Sequence, residues 1–423
     1  MRFQAPRGTE DILPAESHRW IALEASFRAV ARSFGYAEIR TPTFEDTALF
    51  TRTAGESTDI VTKEMYTFTD RGDRSVTLKP EGTAPTIRAV VEHSLLQQGT
   101  PLRLYYITSV FRYERPQLGR LREPHQVGLE LIGSDSPRAD AEIIEATVRF
   151  YHAIGLAGVT VHLNSLGTTD CRARYREVLM KYAEPYLKGQ PDDVRARAER
   201  NPLRILDFKD PEAIEAMNGA PVMLDSLSAE ARDRFESVKS LLAEANIPFE
   251  IKPSIVRGLD YYAHTVFEIH SDKLGAQSQI CGGGRYDGLV KELGGPPLGS
   301  VGVGVGIERT LIALAAEAGE TEAPGIDVCV VAAGDAALAR ADFLARELRA
   351  AGLAVLSDVD GRSMKSQLKY ADRQRAAFAA ILGDDELSAG MLTIRDMESS
   401  EQTTEPEAAA LGRLIAAKRR TRE

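Results

Sequence analysis

A chain of 423 residues is too long for one ordinary core, so two or three domains are expected. Its 43% hydrophobic and 27% charged residues match a globular protein and exclude a disordered or fibrous one. The formal net charge of −10 argues against indiscriminate binding to nucleic acid or an anionic membrane, and leaves room only for a local basic contact.

The N-terminus, Met1-Arg2-Phe3-Gln4-Ala5-Pro6-Arg7-Gly8, has no apolar stretch of the kind a secretory signal needs, so secretion is not expected. Trp20, Leu23, Phe27, Val30 and Phe34 then recur at helical spacing until Gly35 stops the pattern. From about residue 36 the texture changes to short strands at 38–40, 65–68, 75–78, 104–112 and 126–132. Turn signals such as Asp70-Arg71-Gly72-Asp73 separate them, which predicts hairpins and a largely antiparallel sheet. Residues 168–250 are rich in Ala, Arg, Glu and Leu, with helical spacing over 172–186 and 229–245, and read as a helical insertion. Strands resume, most clearly over 265–269.

Residues 319–325, with Pro324 inside, form a linker candidate. Beyond them come a strand over 326–332, a helix over 338–351 closed by Gly352, and strands over 353–356 and 378–382. That alternation predicts a small α/β domain with a mainly parallel sheet. The expected division is therefore a core of 1–167 with 251–318, an insertion of 168–250, and a terminal domain of 326–423. The terminal cluster Lys418-Arg419-Arg420 with Arg422 is either a nucleic-acid contact or a solvated helix end. Cys171, Cys281 and Cys329 stand far apart without a CxxC pair, which suggests neither a disulfide framework nor a zinc site and fits a reducing compartment. No apolar run is long enough to cross a bilayer, so a soluble, cytoplasmic protein is expected.

Five segments have the makings of a site. On the strand Tyr105 to Glu114, alternation gives Arg112 and Glu114 one face; after the loop 115–120, Gln126, Gly128 and Glu130 share a face of the returning strand. Such a polar face is costly to bury unless water or a ligand satisfies it. Arg112 suits forked phosphate contacts, and Glu130 suits an ammonium group; a solvent-facing sheet surface is the alternative. Glu81, in Lys79-Pro80-Glu81-Gly82-Thr83, either faces a ligand or precedes a helix capped by Thr83. Arg257-Gly258-Leu259-Asp260-Tyr261-Tyr262 offers an arginine beside a glycine and two pocket-walling tyrosines, or an ordinary surface turn. Gly282-Gly283-Gly284 permits close backbone approach, yet matches neither a P-loop nor a dinucleotide fingerprint. In Gly302-Val303-Gly304-Val305-Gly306-Ile307-Glu308-Arg309, glycines alternating with valines predict a strand with something packed on its bare face.

Together these segments resemble the class II aminoacyl-tRNA synthetases. Phe111-Arg112-Tyr113-Glu114 is similar to the second motif of that class, Gly304 to Arg309 to the third, and the stretch from Gly35-Tyr36 to Pro42-Thr43-Phe44-Glu45 to the first, which lies at the dimer interface. Arg257-Gly258-Leu259-Asp260-Tyr261-Tyr262 followed by Thr265-Val266-Phe267-Glu268 looks like the histidine-pocket element of the histidyl-tRNA synthetases. Pro6-Arg7-Gly8-Thr9, Pro80-Glu81-Gly82-Thr83, Arg115-Pro116-Gln117 and Gly283-Gly284-Arg285-Tyr286-Asp287 are similar to further segments of that family, in the same order.

The resemblance implies an α+β fold: an antiparallel catalytic core with a helical insertion, then a small α/β anticodon-binding domain. It implies a homodimer acting on ATP, L-histidine and tRNA-His, with Mg2+ accompanying ATP, and neither a DNA nor a membrane partner. Glu81, Gly82, Thr83, Arg112, Gln126, Glu130, Arg257, Tyr261 and Tyr262 would bind histidine. Arg112, Glu114, Arg120, Pro124 and Arg309 would bind ATP, with Arg257 and Arg112 catalytic. Arg115 and Gln117 would touch the acceptor stem. One position departs from the family: where Pro124 stands, an aromatic usually packs on adenine. Regulatory paralogues that bind histidine without ligase activity are the alternative, but they typically lack the terminal domain and have a degraded pocket element.

Overall fold

The structure is a computed structural model that describes residues 3–55, 58–200, 202, 205, 210–255 and 259–421. It divides into two compact units, Met1–Thr321 and Glu322–Glu423. Among the described residues, no helix is long and apolar enough to cross a membrane.

The first unit opens with the helix Pro14–Ser33, which has proline in its first turn and Leu23, Phe27 and Ala31 on its buried face. Gly35 ends it at φ +80°, with its N–H on the Arg32 carbonyl (3.0 Å) and the Tyr36 N–H on Ala31 (3.0 Å). This is the left-handed exit that glycine favours. Eleven strands follow among the described residues of this unit: β1 (Ala37–Glu38), β2 (Phe44–Asp46), β3 (Tyr66–Thr69), β4 (Ser75–Leu78), β5 (Leu102–Ser109), β6 (His125–Ile132), β7 (Val159–Ser165), β8 (Phe249–Ile251), β9 (Ala263–Ser271), β10 (Gln279–Arg285) and β11 (Ser300–Gly306).

Eight of these strands form the main sheet, in the order β1-β5-β6-β11-β10-β9-β7-β8. The six central strands are mutually antiparallel. Short β1 and β8 join the two edges in parallel. β2, β4 and β3 form a small antiparallel sheet of their own. The helices Pro14–Ser33 and Pro137–Ala153 contribute Phe27, Phe150 and Tyr151 to a core that also takes Val127, Leu129 and Leu131 from β6. Each such large side chain stabilises the fold by roughly 1.5–3 kcal/mol. The other face of β6 is thereby left to Gln126, Gly128 and Glu130.

Between β7 and β8 the chain is helical. Thr169–Leu187 and Ala229–Glu244 match the spacing read over 172–186 and 229–245. Thr168 and Ser228 cap them by accepting from the backbone N–H groups of Cys171 and Ala231, both at 3.2 Å. Phe235, Val238 and Leu242 tie the second helix to the main core.

One expectation needs correcting. The strand read over 104–112 stops at Ser109. Beyond it Val110 donates to the Pro124 carbonyl (2.9 Å) and Arg112 to Arg122 (3.0 Å), while Phe111 and Tyr113 turn to Lys79 (2.9 Å) and Glu64 (2.7 Å). Pro124 has no N–H to return, so the regular ladder cannot continue past it.

The second unit carries β12 (Val328–Ala332), β13 (Val355–Ser357), β14 (Phe378–Leu382), β15 (Met391–Asp396) and β16 (Gln402–Pro406), in the order β13-β12-β14-β15-β16. β12, β13 and β14 are parallel, but β15 and β16 add antiparallel strands, so the sheet is mixed rather than mainly parallel. Only the short helix Asp384–Ala389 joins β14 to β15, and a parallel return needs a crossover of about a dozen residues or more. The helix read over 338–351 runs Asp335–Ala350 and buries Leu344 and Leu348 against this sheet.

Candidate active site

The polar face of β6 and the glycine-bearing strands β10 and β11 form one side of a cleft with about 980 Å3 of empty space, its open mouth included. Its walls come from Glu81 to Thr83, Tyr106, Arg112 to Gln126, Leu259 to Tyr262, Gln279 to Gly282, and Gly304 to Arg309.

Glu81 is buried, and its carboxylate accepts the backbone N–H groups of Thr83 (2.6 Å) and Ala84 (2.8 Å) at the start of the helix Thr83–Glu92. The helix-cap alternative is therefore realised, but by Glu81 rather than Thr83. The Thr83 hydroxyl instead donates to Glu130 (2.7 Å). Burial pushes the Glu81 carboxyl above its ordinary value, and the two amide donors oppose that.

Glu130 is fully buried and lies behind the cleft wall, with Thr83 between. The Tyr286 hydroxyl also donates to it. Burial raises the Glu130 carboxyl to about 8, against the hydrogen bonds from Tyr286 and Thr83. Its side chain occupies the space over Gly302, where a Cβ would collide with the carboxylate. The bare face of the glycine–valine strand is thus packed by Glu130.

Arg112 hangs from the Pro80 carbonyl (Nε to O, 2.8 Å). Glu114 sits 3.9 Å from Arg112 and 3.7 Å from Arg120, so the three share one wall although the regular strand has already ended. Arg309 packs at Gly119, at the turn of the 115–120 loop. Burial holds its guanidinium below the ordinary value, and nearby Arg120 adds to that, while Glu114 opposes. Two arginines in mutual repulsion beside a carboxylate are well placed for an anionic ligand.

Pro124 lines the cleft just ahead of β6, and Gln126 follows on the same wall. The Tyr261 and Tyr262 rings lie with their centres 4.7 Å apart and their planes tilted by 51°. Arg115 and Gln117 are exposed on the loop outside the cleft, whose backbone closes through Gln117 and Arg120. Val256, Arg257 and Gly258 lie outside the described residues, as does Arg422.

Two features of the site escaped sequence reasoning. Tyr106 lines the cleft and stands directly across the sheet from Gly128, where a Cβ would collide with its ring. An aromatic opposite a glycine was the available signal, but it needed the β5–β6 register. Glu308 lies at the rim and accepts from the His125 backbone (2.9 Å) while pairing with its ring at Nδ1 (2.8 Å). Burial works against charging that imidazole, but the hydrogen bond and charge of Glu308 prevail and raise it.

An antiparallel sheet that carries a polar cleft, walled by arginines from two motifs and followed by a small α/β unit, is the architecture of a class II aminoacyl-tRNA synthetase. Residues 8–310 match the family model for histidyl-tRNA synthetase, and residues 327–416 match that for an anticodon binding domain. The chain is 47% identical over 407 residues to a histidine–tRNA ligase of Desulfitobacterium hafniense, with 96% of each chain covered. It is 49% identical over 410 residues to that of Geobacillus thermodenitrificans, again with 96% of each covered. The crystal structure of apo histidyl-tRNA synthetase from S. aureus superposes with a TM-score of 0.83 at 36% identity, covering 98% of this chain and 100% of that one. The chain belongs to the histidyl-tRNA synthetase family.

Proposed function

We propose that this chain activates L-histidine with ATP and transfers the histidyl group to the 3′ end of tRNA-His. The observation that supports this best is the convergence of Glu81, Arg112, Gln126, Tyr261 and Arg309, from distant segments, on one cleft. In the first step a histidine carboxylate oxygen attacks the α-phosphorus of ATP, the bond to the bridging oxygen breaks, and pyrophosphate leaves. In the second, a terminal ribose hydroxyl of tRNA attacks the acyl carbon and AMP departs. Such transfers depend on positioning and charge stabilisation more than on a proton-transfer residue.

Arg112 and Arg309 hold the phosphates, with Glu114 and Arg120 fixing the wall around them and Pro124 beside the adenine. Glu81, Gly82, Thr83, Gln126, Tyr261 and Tyr262 surround histidine. Glu130 supplies the negative charge for its α-ammonium from behind Thr83. Arg257 stabilises the charge that develops at the α-phosphate. Among the described residues no three His, Cys, Asp or Glu side chains converge as a cage. Glu114 and Glu308, on the cleft wall, fit Mg2+ carried mainly by the ATP phosphates. When bound, that ion neutralises phosphate charge.

Arg115 and Gln117 touch the acceptor stem, and the second unit binds the anticodon. The functional division is a core of 1–167 with 251–318, an insertion of 168–250, a linker of 319–325 and a terminal domain of 326–423. The enzyme works as a homodimer in the cytoplasm. The regulatory alternative is disfavoured because relatives 45–49% identical over 94–97% of this chain are histidine–tRNA ligases. A structure from Bacillus halodurans whose name includes the regulatory subunit shares 23% identity, and so shares the fold alone.

The test is histidine-dependent ATP–pyrophosphate exchange, followed by charging of a tRNA-His transcript by the same sample. Both are expected, with exchange lost in Arg257→Ala. Histidine binding without exchange would refute the ligase reading.

A further inference from the structure

The helix Met364–Arg373 of the second unit buries Gln367 and Ala371 and leaves Lys365, Lys369 and Arg373 exposed. A spacing of four residues sets these three cations in one row, each roughly 6 Å further along the axis. Neighbouring arginines are already committed, Arg362 to Asp358 and Arg375 to Glu322. Among the described residues, no carboxylate lies within ion-pair distance of any of the three. Residues 362–375 hold five basic side chains against Asp372 alone, in a chain whose net charge is −10. Like charges four apart repel, so the row costs the helix stability unless something anionic lies on it.

The chemistry of the row names its occupant. Lysine ammonium groups are compact point charges suited to phosphate oxygens rather than to forked recognition of bases. Their step along the helix resembles that between successive phosphates of one strand. At the edge of the row the Arg362 guanidinium lies over the half-buried Tyr370 ring, 4.9 Å from its centre, and that of Arg373 lies 5.8 Å from it, contacts that hold these cations beside the lysines. The domain model matched over 327–416 takes in the whole helix.

We propose that Lys365, Lys369 and Arg373 form a phosphate-binding row that seats the tRNA backbone against the second unit. This rests on the reading that this unit binds the anticodon arm, and adds which face does so. The row sets affinity and register and leaves base identity to other groups.

The test compares wild type, Lys365→Ala/Lys369→Ala/Arg373→Ala and the single variant Lys369→Glu. For each, tRNA-His transcript binding is measured across a salt series, with charging kinetics and pyrophosphate exchange on the same samples. The triple variant should raise the KM for tRNA about tenfold or more and make the salt dependence shallower by about two to three in log–log slope. Pyrophosphate exchange, which needs no tRNA, should stay at the wild-type rate. Lys369→Glu should shift binding in the same direction by itself, so a folding defect in the triple variant cannot hide the effect. Wild-type affinity and slope in both variants would overturn the row while leaving the anticodon reading intact. A wild-type chain whose binding and charging are unaffected by removal of the anticodon arm from the transcript would overturn that reading as well.

Discussion

Replacing Glu130 with glutamine separates two effects that usually travel together. Glu130 is fully buried, and burial lifts its carboxyl from an ordinary 4.5 to about 8. A carboxyl raised on folding binds a proton in the folded state that the unfolded state has already lost. Its contribution therefore falls as pH climbs from about 4.5 to about 8 and is fully lost above that. The shift corresponds to several kcal/mol, on the order of 5 at most. Without ligand, Glu130→Gln should fall about 1–2 kcal/mol below wild type near pH 5 and exceed it in stability at pH 9. Realignment of the Thr83 and Tyr286 hydroxyls around the amide offsets about 1–2 kcal/mol of that gain. Histidine binding should move the opposite way. Removing the buried counter-charge of an ammonium costs about 2–5 kcal/mol, or roughly 30-fold to several thousand-fold in the histidine KM. Urea unfolding at pH 5, 7 and 9 reads the first effect, and histidine-dependent pyrophosphate exchange the second. An unchanged histidine KM would show that Glu130 is not the counter-charge. A stability loss equal at pH 5 and pH 9 would refute the account of its burial.

The same packing predicts that Gly302→Ala, whose Cβ meets the Glu130 carboxylate, lowers stability by about 1–3 kcal/mol, measured as the urea midpoint. Asp140→Ala should cost about 3–5 kcal/mol by the same measure, because Arg285 and Asp140 are both fully buried and pair at 2.8 Å. Pro124→Phe should lower the KM for ATP roughly fivefold or more, since an aromatic ring adds a stacking face for the base; an unchanged value would mean Pro124 does not face adenine. Thr83→Val, which takes away the hydroxyl between Glu130 and the cleft, should weaken histidine binding while leaving the KM for ATP near wild type in the same exchange assay.

Much of the fold was legible because its signals are local. The helices Thr169–Leu187 and Ala229–Glu244 announce themselves by apolar spacing, and Gly35 and Gly352 mark helix ends with positive φ. What failed was whatever depended on a partner. The alternation through Phe111-Arg112-Tyr113 is strand-like, but the strand ends because the opposing chain offers Pro124. β16, Gln402-Thr403-Thr404-Glu405-Pro406, is almost wholly exposed and carries no apolar run to announce it. It exists because β15 gives it a ladder to join.

The candidate site shows the same limit at closer range. Alternation on β6 placed Gln126, Gly128 and Glu130 on one polar face, and they do lie there. Alternation could not foresee that the helix Thr83–Glu92 would sit over that face at Glu130, leaving Gln126 on the cleft wall and Glu130 behind it. The glycines carry the complementary information. Gly128 makes room for Tyr106, and Gly302 for Glu130. Each missing side chain marks a place where another is pressed into the sheet. Among the described residues no cation pairs with the Glu130 carboxyl, and burial keeps it protonated up to about pH 8, so its charged form is costly in the unliganded fold. Its hydrogen bonds to Thr83 and Tyr286 reduce that cost without removing it, and an apolar or amide side chain would pack more cheaply. The cost makes sense only if a cationic ligand offsets it, and among the proposed substrates the α-ammonium of histidine is the group of the right sign and size.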